Sequence, residues 1–363
     1  MTSPAGSRPA SAGRGPHPDN AMILIITSKQ DSHVGAVARY FDDAGVPWVR
    51  LNTEDFASNV ELTVFPAQGH GTILVRDSGR VVHLQDVRAV WYRKPDPVNV
   101  AHFAACEPAA LDYIEAEFTE IILGLYSLLR HATWINDPFT TRIAHRKMLQ
   151  LSVAASVGFA TPQTVITNNP ETALAFARGL SGDVAIKSLG SIAVTTPSED
   201  GGAIQYGLFT RRVSLAELES VKESIRHQPT SFQEFIEKQY ELRITCVGAR
   251  CFACRIESRT GDLTADDYRF DTTGLIHVPQ KCQELEEKLQ SYLKTFGLNF
   301  GCFDILITKT GEPVFLECNP NGQWLWVENM TGLPIGQAIA QELMSAHEGV
   351  VGQGHLEIET TPL

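Results

Sequence analysis

Residues 302–320 read CFDILITKTGEPVFLECNP, two apolar runs on either side of the turn sequence Lys309–Glu312. Apolar runs around a tight, Gly-containing turn predict a β-hairpin. A loop centred on this turn sets Asp304 directly opposite Glu317, and Asn319 then projects from the same face. The hairpin therefore predicts three oxygen-bearing side chains on one surface.

The predicted pairing places two negative charges side by side. Like charges directly across a sheet destabilise it, and a buried pair without compensation is worse. The alternative is an edge hairpin with solvated polar groups, but the apolar residues that flank Asp304 and Glu317 indicate burial on both faces. A bound cation is the simplest compensation, and carboxylate and amide oxygens select a hard ion such as Mg²⁺, which takes its remaining ligands from substrate phosphates. The hairpin thus points to phosphate chemistry.

The composition is that of a globular protein long enough for two or three domains. The chain has 363 residues, 43% hydrophobic and 20% charged, with a formal net charge of −12. This acidic balance disfavours DNA or RNA as a partner, because binding them needs a cationic surface. The longest apolar run, Ile121–Leu129, is far shorter than the roughly 20 residues of a membrane span. We expect neither a nucleic-acid partner nor a membrane span.

The chain ends and the cysteines give weaker signals. Residues 1–21 lack the hydrophobic centre of a signal peptide, so we expect a disordered extension or an upstream start before Met22, and residues 348–363 look like a loose tail. Seven cysteines, an odd count, favour free thiols and a cytoplasmic location. The CxxC motif Cys251–Cys254 suggests zinc or redox chemistry, but its cysteines face opposite sides of an apparent strand, which favours buried small hydrophobes.

Alternating strands and helices divide the chain into two regions. Met22–Thr27 is a continuous apolar strand, and the helix and strand after it predict a parallel α/β sheet. We predict a small α/β domain over residues 22–135 and a second domain over 136–347, with a central lobe at 136–230 and a C-terminal lobe at 231–347. Predicted helices cover residues 33–44, 105–131, 141–157, 279–296 and 333–346, and a second hairpin covers 240–258.

Further candidates for binding an anion lie outside the carboxylate hairpin. Lys187 ends an apolar strand and could neutralise phosphate oxygens, although a lysine at such a position can also snorkel to the surface. Lys147 lies on a helix, where exposed basic residues are common. Arg243 shares a strand face with Glu241, so it could bind a carboxylate or phosphate, or form an internal salt bridge to Glu241. The Gly-, Ser- and Thr-rich loop 188–202 could cradle phosphates but lacks a P-loop signature.

In this order, the elements from Met22 to about His347 resemble the ATP-grasp superfamily. More narrowly, the chain is similar to the ATP-grasp ribosomal peptide maturases, the graspetide synthetases typified by microviridin ligases. The stretches that carry the resemblance are Trp91–Pro95 (WYRKP), Arg146–Leu151 (RKMLQL), Tyr240–Thr245 (YELRIT), Glu317–Trp326 (ECNPNGQWLW) and Thr331–Ile335 (TGLPI).

The resemblance implies an ATP-grasp α/β fold with an N-terminal pre-ATP-grasp α/β domain, and ATP with two Mg²⁺ ions as cofactors. Asp267-Tyr268-Arg269 is similar to an Asp-Trp-Arg element of these maturases, with Tyr in place of Trp. This similarity implies that Arg269 holds an acidic substrate, and Arg255 is a weaker candidate for the same role. The other implied contacts are Lys147 and Lys187 with phosphates; Glu234, Phe235 and Ile236 with adenine at the inter-lobe hinge; Gln233 and Glu241 with the nucleotide; Asp304, Glu317 and Asn319 with the metal; and Arg243 near the γ-phosphate and acyl group.

The implied substrate is a ribosomally made precursor peptide with a leader segment. An Asp or Glu side chain becomes an acyl phosphate, and a Ser or Thr hydroxyl or a Lys amine attacks it, giving a macrolactone or macrolactam. Such a reaction needs no covalent enzyme nucleophile, in agreement with the lack of an evident Ser/His/Asp triad in the sequence. Relatives commonly form homodimers, so the resemblance also implies a homodimer.

Two other functions remain open at this point. A free-standing amino-acid or glutamate ligase, acting on a small molecule or a protein tail, would use the same ATP site; the stretch Asn319–Trp326 favours the peptide maturase. A nucleotide- and peptide-binding protein without catalysis is the third possibility. Against it stand the intact side chains that a degenerate site would lose, namely Lys147, Lys187, Arg243, Asp304, Glu317 and Asn319.

Overall fold

A computed structural model describes residues 20–190, 193–197, 203–207, 210–257 and 276–349. The chain divides into two compact units, one that runs to Pro138 and takes in the chain from Gly336 onward, and one that spans Phe139–Ile335. The last helix thus groups with the N-terminal unit, whereas the sequence suggested the second domain. Within the N-terminal unit, Nε2 of His347 lies 3.1 Å from the carbonyl oxygen of Ala21, at the start of the first strand.

The N-terminal unit has a parallel sheet, as predicted. The first strand is an almost completely buried apolar run, which is typical of a strand with parallel neighbours on both sides. The elements are β1 Met22–Thr27, α1 His33–Ala44, β2 Trp48–Asn52, α2 Phe56–Asn59, β3 Val60–Phe65, β4 His70–Val75, β5 Arg80–His83, β6 Val87–Tyr92, α3 Pro108–Leu128 and β7 Thr133–Ile135. The parallel sheet has the order β2-β1-β6-β7, and a separate antiparallel sheet has the order β3-β4-β5.

A buried charge network fixes the loop after β1. Asp31 accepts hydrogen bonds from Thr27 Oγ1 (2.9 Å) and Arg93 Nε (3.2 Å), and its Oδ1 lies 2.9 Å from Nδ1 of His33. The side chains of Arg93, Asp31 and His33 are 1%, 5% and 6% exposed. Burial would raise the pKa of Asp31, but the hydrogen bond from His33 and the charge of Arg93 hold it well below the usual range. Burial lowers the pKa of His33, against the opposing hydrogen bond to Asp31.

The second unit and its flanking helices contain the remaining elements. They are α4 Pro138–Ala144, α5 Lys147–Ser156, β8 Thr164–Thr167, α6 Pro170–Gly179, β9 Val184–Lys187, β10 Ala193–Pro197, β11 Ala203–Gly207, β12 Arg211–Val213, α7 Leu215–Ser220, β13 Thr230–Glu234, β14 Lys238–Val247, β15 Arg250–Glu257, β16 Ile276–Gln280, α8 Gln283–Phe296, β17 Phe300–Thr308, β18 Pro313–Asn319, α9 Leu325–Thr331 and α10 Ile335–Gly349. Among the described residues, no helix is long and apolar enough to cross a membrane.

Two antiparallel sheets form the lobes of the second unit. The sheet β12-β9-β13-β8 packs with α6 and α7 around Leu174 and Phe232. The sheet β16-β15-β14-β17-β18 packs with α8 around Tyr292, Phe303 and Phe315. Residues 235–237 connect the two sheets, between the end of β13 and the start of β14.

Two predicted elements differ from the structure. The helix predicted over 141–157 is two helices, α4 and α5, and where the first ends, the carbonyl of Ala144 accepts a hydrogen bond from Nε2 of Gln150 (2.7 Å). The predicted loop 188–202 contains the strand β10, which pairs with β11. Its β-branched Val194, Thr195 and Thr196 favour a strand over an irregular loop. Residues 191–192 and 198–202 of that loop lie outside the described residues.

Acidification should destabilise the protein through His33. Because the folded-state pKa of His33 lies below its ordinary 6.5, the stability that neutral His33 contributes is complete above that pH and falls as the pH decreases. The expected loss is at most about 1.4 kcal/mol per pH unit. Melting temperatures measured between pH 7.5 and 5.5 should fall more steeply for the wild type and the exposed-site control His83→Gln than for His33→Gln. Equal slopes in all three would contradict this role of His33.

Candidate active site

The predicted carboxylate pair is present. Asp304 lies directly opposite Glu317 between β17 and β18, and Asn319 follows on the same face opposite Cys302. On the other side of β17, Asp304 pairs with Arg243 of β14. Three adjacent strands therefore carry a row of charged side chains, Arg243, Asp304 and Glu317, on one face of the sheet.

A β-bulge sets this register. Towards the turn, Ile305 pairs with Phe315, so Leu316 is an extra residue between two paired positions of β18. The predicted pairing of Asp304 with Glu317 is confirmed, but the predicted loop, which would have continued that register to the turn, is wrong. Without the bulge, Asp304 would face Leu316, and Glu317 would project from the opposite face, where the core lies. The bulge thus decides whether the two carboxylates meet.

The charges of the row are balanced by the protein's own cations. Arg243 donates from Nη1 to Oδ1 of Asp304 at 2.8 Å, and the two side chains are only 7% and 11% exposed. Lys147 Nζ lies 3.5 Å from Oε2 of Glu317, with both side chains 27% exposed. Glu241 forms an ion pair with Lys238. Each carboxylate has its own cation, one buried and one partly open to solvent.

Lys147, the first residue of α5, joins the two lobes at this point. Besides its ion pair with Glu317, its Nζ donates to the carbonyl oxygen of Ser188 at 2.9 Å. Ser188 directly follows Lys187, the last residue of β9. Lys147 therefore lies beside the end of the strand that carries the second candidate lysine. The sequence made Lys147 the weaker candidate of the two, since nothing in its helical pattern revealed these contacts.

Sequence reasoning missed Gln150, three residues after Lys147. Its side chain is buried, and its Nε2 donates to the carbonyl oxygen of Cys318 at 2.7 Å, while its Oε1 accepts from the N–H of Cys318 at 3.1 Å. Cys318 separates Glu317 from Asn319. The only signal in the sequence was a glutamine inside the stretch Arg146–Leu151.

Gly322 permits a close approach of the chain after β18 to the row. A Cβ at this position would lie 2.5 Å from Cβ and 2.7 Å from Sγ of Cys302, and 2.9 Å from Nη2 of Arg243. Nη2 of Arg243 donates to the carbonyl oxygen of Gln323 at 3.0 Å. The stretch that the sequence singled out, Glu317–Trp326, therefore continues from the carboxylate strand directly over Arg243.

The hinge candidates lie on the connection between the lobes. The backbone N–H groups of Glu234 and Phe235 donate to the carbonyls of Gln163 (2.8 Å) and Asp183 (3.1 Å). A nucleotide base at this hinge would therefore use the N–H of Ile236 or backbone carbonyls. The buried Gln233, just before the hinge, donates from Nε2 to Oγ1 of Thr164 at 3.0 Å.

One of the predicted arginines, Arg255, is not brought to the row. Arg255 pairs with Leu242, so it lies on the sheet face opposite Arg243. There its guanidinium stacks 4.0 Å from the ring centroid of Tyr240 and forms an ion pair with Glu257 at 2.7 Å. The prediction for Arg269, and the element Asp267–Arg269, lies outside the described residues.

Five of the seven cysteines are buried, and the two of the CxxC motif lie on opposite faces of the sheet. Cys251 lies opposite Cys246 on the core side of the sheet, whereas Cys254 lies opposite Arg243 on the other face, as the strand pattern predicted for the CxxC motif. Burial raises the pKa of Cys254 to about 11. All seven cysteines are free thiols.

The donor set of the row fits a magnesium ion. The described residues contain no group of three or more His, Cys, Asp or Glu side chains that could enclose a metal. Asp304, Glu317 and Asn319 offer two carboxylates and one amide, and the Oδ1 of Asn319 is oriented by the N–H of Asn321 at 3.0 Å. Mg²⁺ binds one or two carboxylates and takes its other ligands from water and phosphate, so an incomplete oxygen site is what it requires.

Comparisons with known proteins find a matching family model and similar solved structures. Residues 22–142 match the family model of the MvdD pre-ATP grasp domain. A RiPP-associated ATP-grasp ligase from Chryseobacterium gregarium, solved with ADP and a leader and core peptide, is 27% identical with a TM-score of 0.81, over 90% of this chain and 97% of that one. No curated protein matches the chain by sequence.

Two macrocyclases from Microcystis aeruginosa MRC are also similar. MdnC, solved with the precursor peptide MdnA, is 28% identical with a TM-score of 0.76, over 89% of this chain and 99% of that one. MdnB is 29% identical with a TM-score of 0.68 and the same coverage. Fold and site together define an ATP-grasp ligase with an N-terminal pre-ATP-grasp domain. Within that class, this chain is similar to the ATP-grasp ligases of ribosomal peptide maturation, as its sequence predicted.

Replacing Gly322 with alanine should destabilise the second unit. The new Cβ collides with Cys302 and displaces the chain over Arg243, and overpacking of this kind costs about 1–3 kcal/mol. We expect a melting temperature lowered by several degrees. Gly182→Ala is the matched control, because a Cβ there meets nothing within 4 Å. If Gly322→Ala melts at as high a temperature as Gly182→Ala, then the backbone at Gly322 does not lie close against Cys302 and Arg243.

Proposed function

We propose that this protein is an ATP-dependent macrocyclase of a ribosomally made precursor peptide. The observation that carries the proposal is the row of Arg243, Asp304 and Glu317, with Asn319 beside it and Lys147 in an ion pair with Glu317. Oxygen ligands for a metal ion, with cations close to them, are what the transfer of a phosphoryl group from ATP requires. The similar ligases and macrocyclases that were solved with ADP or with precursor peptides support a peptide as the acceptor.

The first half-reaction activates an Asp or Glu side chain of the precursor as an acyl phosphate. In the proposal, Lys147 and Lys187 neutralise phosphate oxygens, and Arg243 orients the γ-phosphate and the substrate carboxylate. Glu234, Phe235 and Ile236 hold adenine, with Gln233 and Glu241 beside the nucleotide. Asp304, Glu317 and Asn319 would hold Mg²⁺, two ions in all, and the metal would supply charge neutralisation along the phosphates.

The second half-reaction joins the activated carboxyl to a hydroxyl or an amine of the same peptide. A Ser or Thr hydroxyl gives an ester, a Lys amine gives an amide, and inorganic phosphate leaves. The enzyme's task is to orient the two ends and exclude water from the acyl phosphate. Arg269 is proposed to hold the acidic part of the precursor. Arg255 is the less favourable choice for that task, because it lies on the opposite sheet face in an ion pair with Glu257.

An amino-acid or glutamate ligase that acts on a small molecule or protein tail is the second candidate function. The ATP site does not separate the two, because both reactions pass through an acyl phosphate. The similarity to ligases of precursor peptides over about nine tenths of the chain favours the macrocyclase. A protein that binds nucleotide and peptide without catalysis is the least favoured, since its site would have no need to keep both cations and both carboxylates in contact.

We further propose a homodimer in the cytoplasm. The long helix α3 supports the homodimer, because it exposes large apolar side chains, Tyr113 at 65%, Ile121 at 41% and Leu128 at 36%, which a second copy could cover. The free thiols support the cytoplasm, where cysteines stay reduced.

Glu317→Gln should abolish product formation and leave the fold intact. The substitution keeps the size of the side chain but removes a negative charge that the metal requires. The measurement is peptide-dependent ADP release together with the mass loss of one water per ring. Glu312→Gln, in the exposed turn of the same hairpin, is the matched control and should keep wild-type activity. Ring formation by Glu317→Gln at the wild-type rate would refute the metal assignment.

Lys147→Met should lower turnover about a hundredfold or more, in line with the removal of one electrostatic donor from an active site. The melting temperature should change little, because the ion pair with Glu317 is partly exposed. The exposed Lys294→Met, at the end of α8, is the control. Wild-type turnover in Lys147→Met would show that residues other than Lys147 contact the phosphates.

A further inference from the structure

The outer edge of β18 carries a contact for which the proposed reaction has no role. β18 is the last strand of its sheet, and at its outer edge an isolated bridge joins Val314 to Ala160, with the N–H of Phe315 donating to the carbonyl of Ala160 at 2.9 Å. Beyond this bridge, the described residues provide no neighbouring strand for the outward backbone groups of β18. At Cys318 the side chain of Gln150 takes that place. Oε1 accepts from the N–H of Cys318 at 3.1 Å, and Nε2 donates to its carbonyl oxygen at 2.7 Å. One amide thus makes the pair of hydrogen bonds that a strand would make.

This contact falls between two proposed metal ligands. Cys318 has Glu317 on one side and Asn319 on the other, and the bulge at Leu316 interrupts the ladder just before them. Because successive residues of a strand alternate faces, a small rotation or slip of this segment moves Glu317 and Asn319 together. β17 holds the segment from one side, and Gln150 holds it from the other.

The same amide links the segment to the helix that carries Lys147. Nε2 of Gln150 also donates to the carbonyl of Ala144, the last residue of α4, at 2.7 Å. Gln150 lies about one turn after Lys147 on α5. Its side chain is 3% exposed, so water does not replace these bonds readily. The side chain of Gln150 therefore connects the start of α5 with both the end of α4 and the edge of β18.

We propose that Gln150 is a positioning residue that presets Glu317 and Asn319 for the metal. The inference rests on the proposed function, because it concerns the same metal site. It assigns to Gln150 no contact with substrate or metal; the residue acts by holding the strand that carries the ligands. Groups that orient metal ligands from outside typically contribute 10- to 100-fold to metal affinity, so we expect an effect of about that size.

The test compares Gln150→Leu and Gln150→Met with Gln290→Leu in the full-length protein. Leucine removes all three hydrogen bonds, and methionine removes them while keeping the length of the side chain. Gln290 is the matched control, since its Nε2 donates to the backbone carbonyl of Gly248 at 3.1 Å in another part of the same unit. Glu317→Gln serves as the reference for loss of a metal ligand.

Two readouts are independent of turnover. Hydrogen–deuterium exchange without ligands reports the Cys318 N–H directly, and we expect it to accelerate roughly tenfold or more in both Gln150 variants. Calorimetric titration of Mg²⁺ at a fixed ADP concentration should show apparent metal affinity reduced about 10- to 100-fold in both, and unchanged in Gln290→Leu. Should Gln150→Leu fail to fold, Gln150→Met carries both measurements.

The outcomes separate this proposal from the proposed function. Unchanged Cys318 exchange in a folded Gln150 variant would overturn the proposal, and so would faster exchange with wild-type Mg²⁺ affinity, which would leave Gln150 a purely structural role. Wild-type Mg²⁺ affinity in Glu317→Gln would overturn the metal site itself and this inference with it. Only loss of metal affinity in both the Glu317 and the Gln150 variants, with Gln290→Leu unaffected, supports the assignment.

Discussion

The central constraint on this structure is that two carboxylates must stand side by side on a mostly buried sheet. Asp304 and Glu317 repel each other, and the fold compensates with Arg243 on one side and Lys147 on the other. Removing one partner of the buried Arg243–Asp304 pair would leave an uncompensated buried charge, which is far more costly than losing an exposed pair. The compensation also differs in kind, because the Arg243 pair is buried and the Lys147 pair is partly open. The open pair is the one that an incoming phosphate can exchange with at the lower cost.

Several other features of the second unit help to place these charges. The bulge at Leu316 turns Glu317 towards Asp304, and Gly322 lets the following chain lie against Cys302 and Arg243. Lys147 contacts both Glu317 and the carbonyl of Ser188, so one side chain links the end of β9 in one lobe to the carboxylates of the other. The site is thus largely preorganised, which is the condition for electrostatic stabilisation of phosphoryl transfer.

The sequence predicted the fold class and the centre of the site because those features depend on local patterns. Alternation along residues 302–320 was enough to pair Asp304 with Glu317 and to place Asn319 beside them. The pairing was correct even though the loop was not, since the bulge compensates a turn of different length. The family resemblance assigned the phosphate contact to Lys147. The helical pattern around Lys147 does not distinguish it from an ordinary surface lysine.

What the sequence did not predict depends on contacts between distant segments. Gln150 and Cys318 are separated by 168 positions, and a glutamine on a helix gives no sign of which backbone it will meet. The resemblance assigned Arg255 a substrate role, whereas the alternation of side chains along β15 places it on the opposite sheet face, where it contacts Tyr240 and Glu257. No proline or glycine marks the break between α4 and α5 in the sequence. The hydrogen bond from Gln150 to Ala144 at that break is visible only in the structure.

The most direct test of the central claim is a crystal structure with ADP and Mn²⁺ in place of Mg²⁺, with anomalous scattering used to locate the metal. The account predicts an anomalous peak about 2.0–2.3 Å from carboxylate oxygens of Glu317 and Asp304, with Asn319 completing the protein ligands and Lys147 turned to phosphate. A peak remote from these side chains, or ADP bound elsewhere with the ion pairs of Arg243 and Lys147 unaltered, would contradict it.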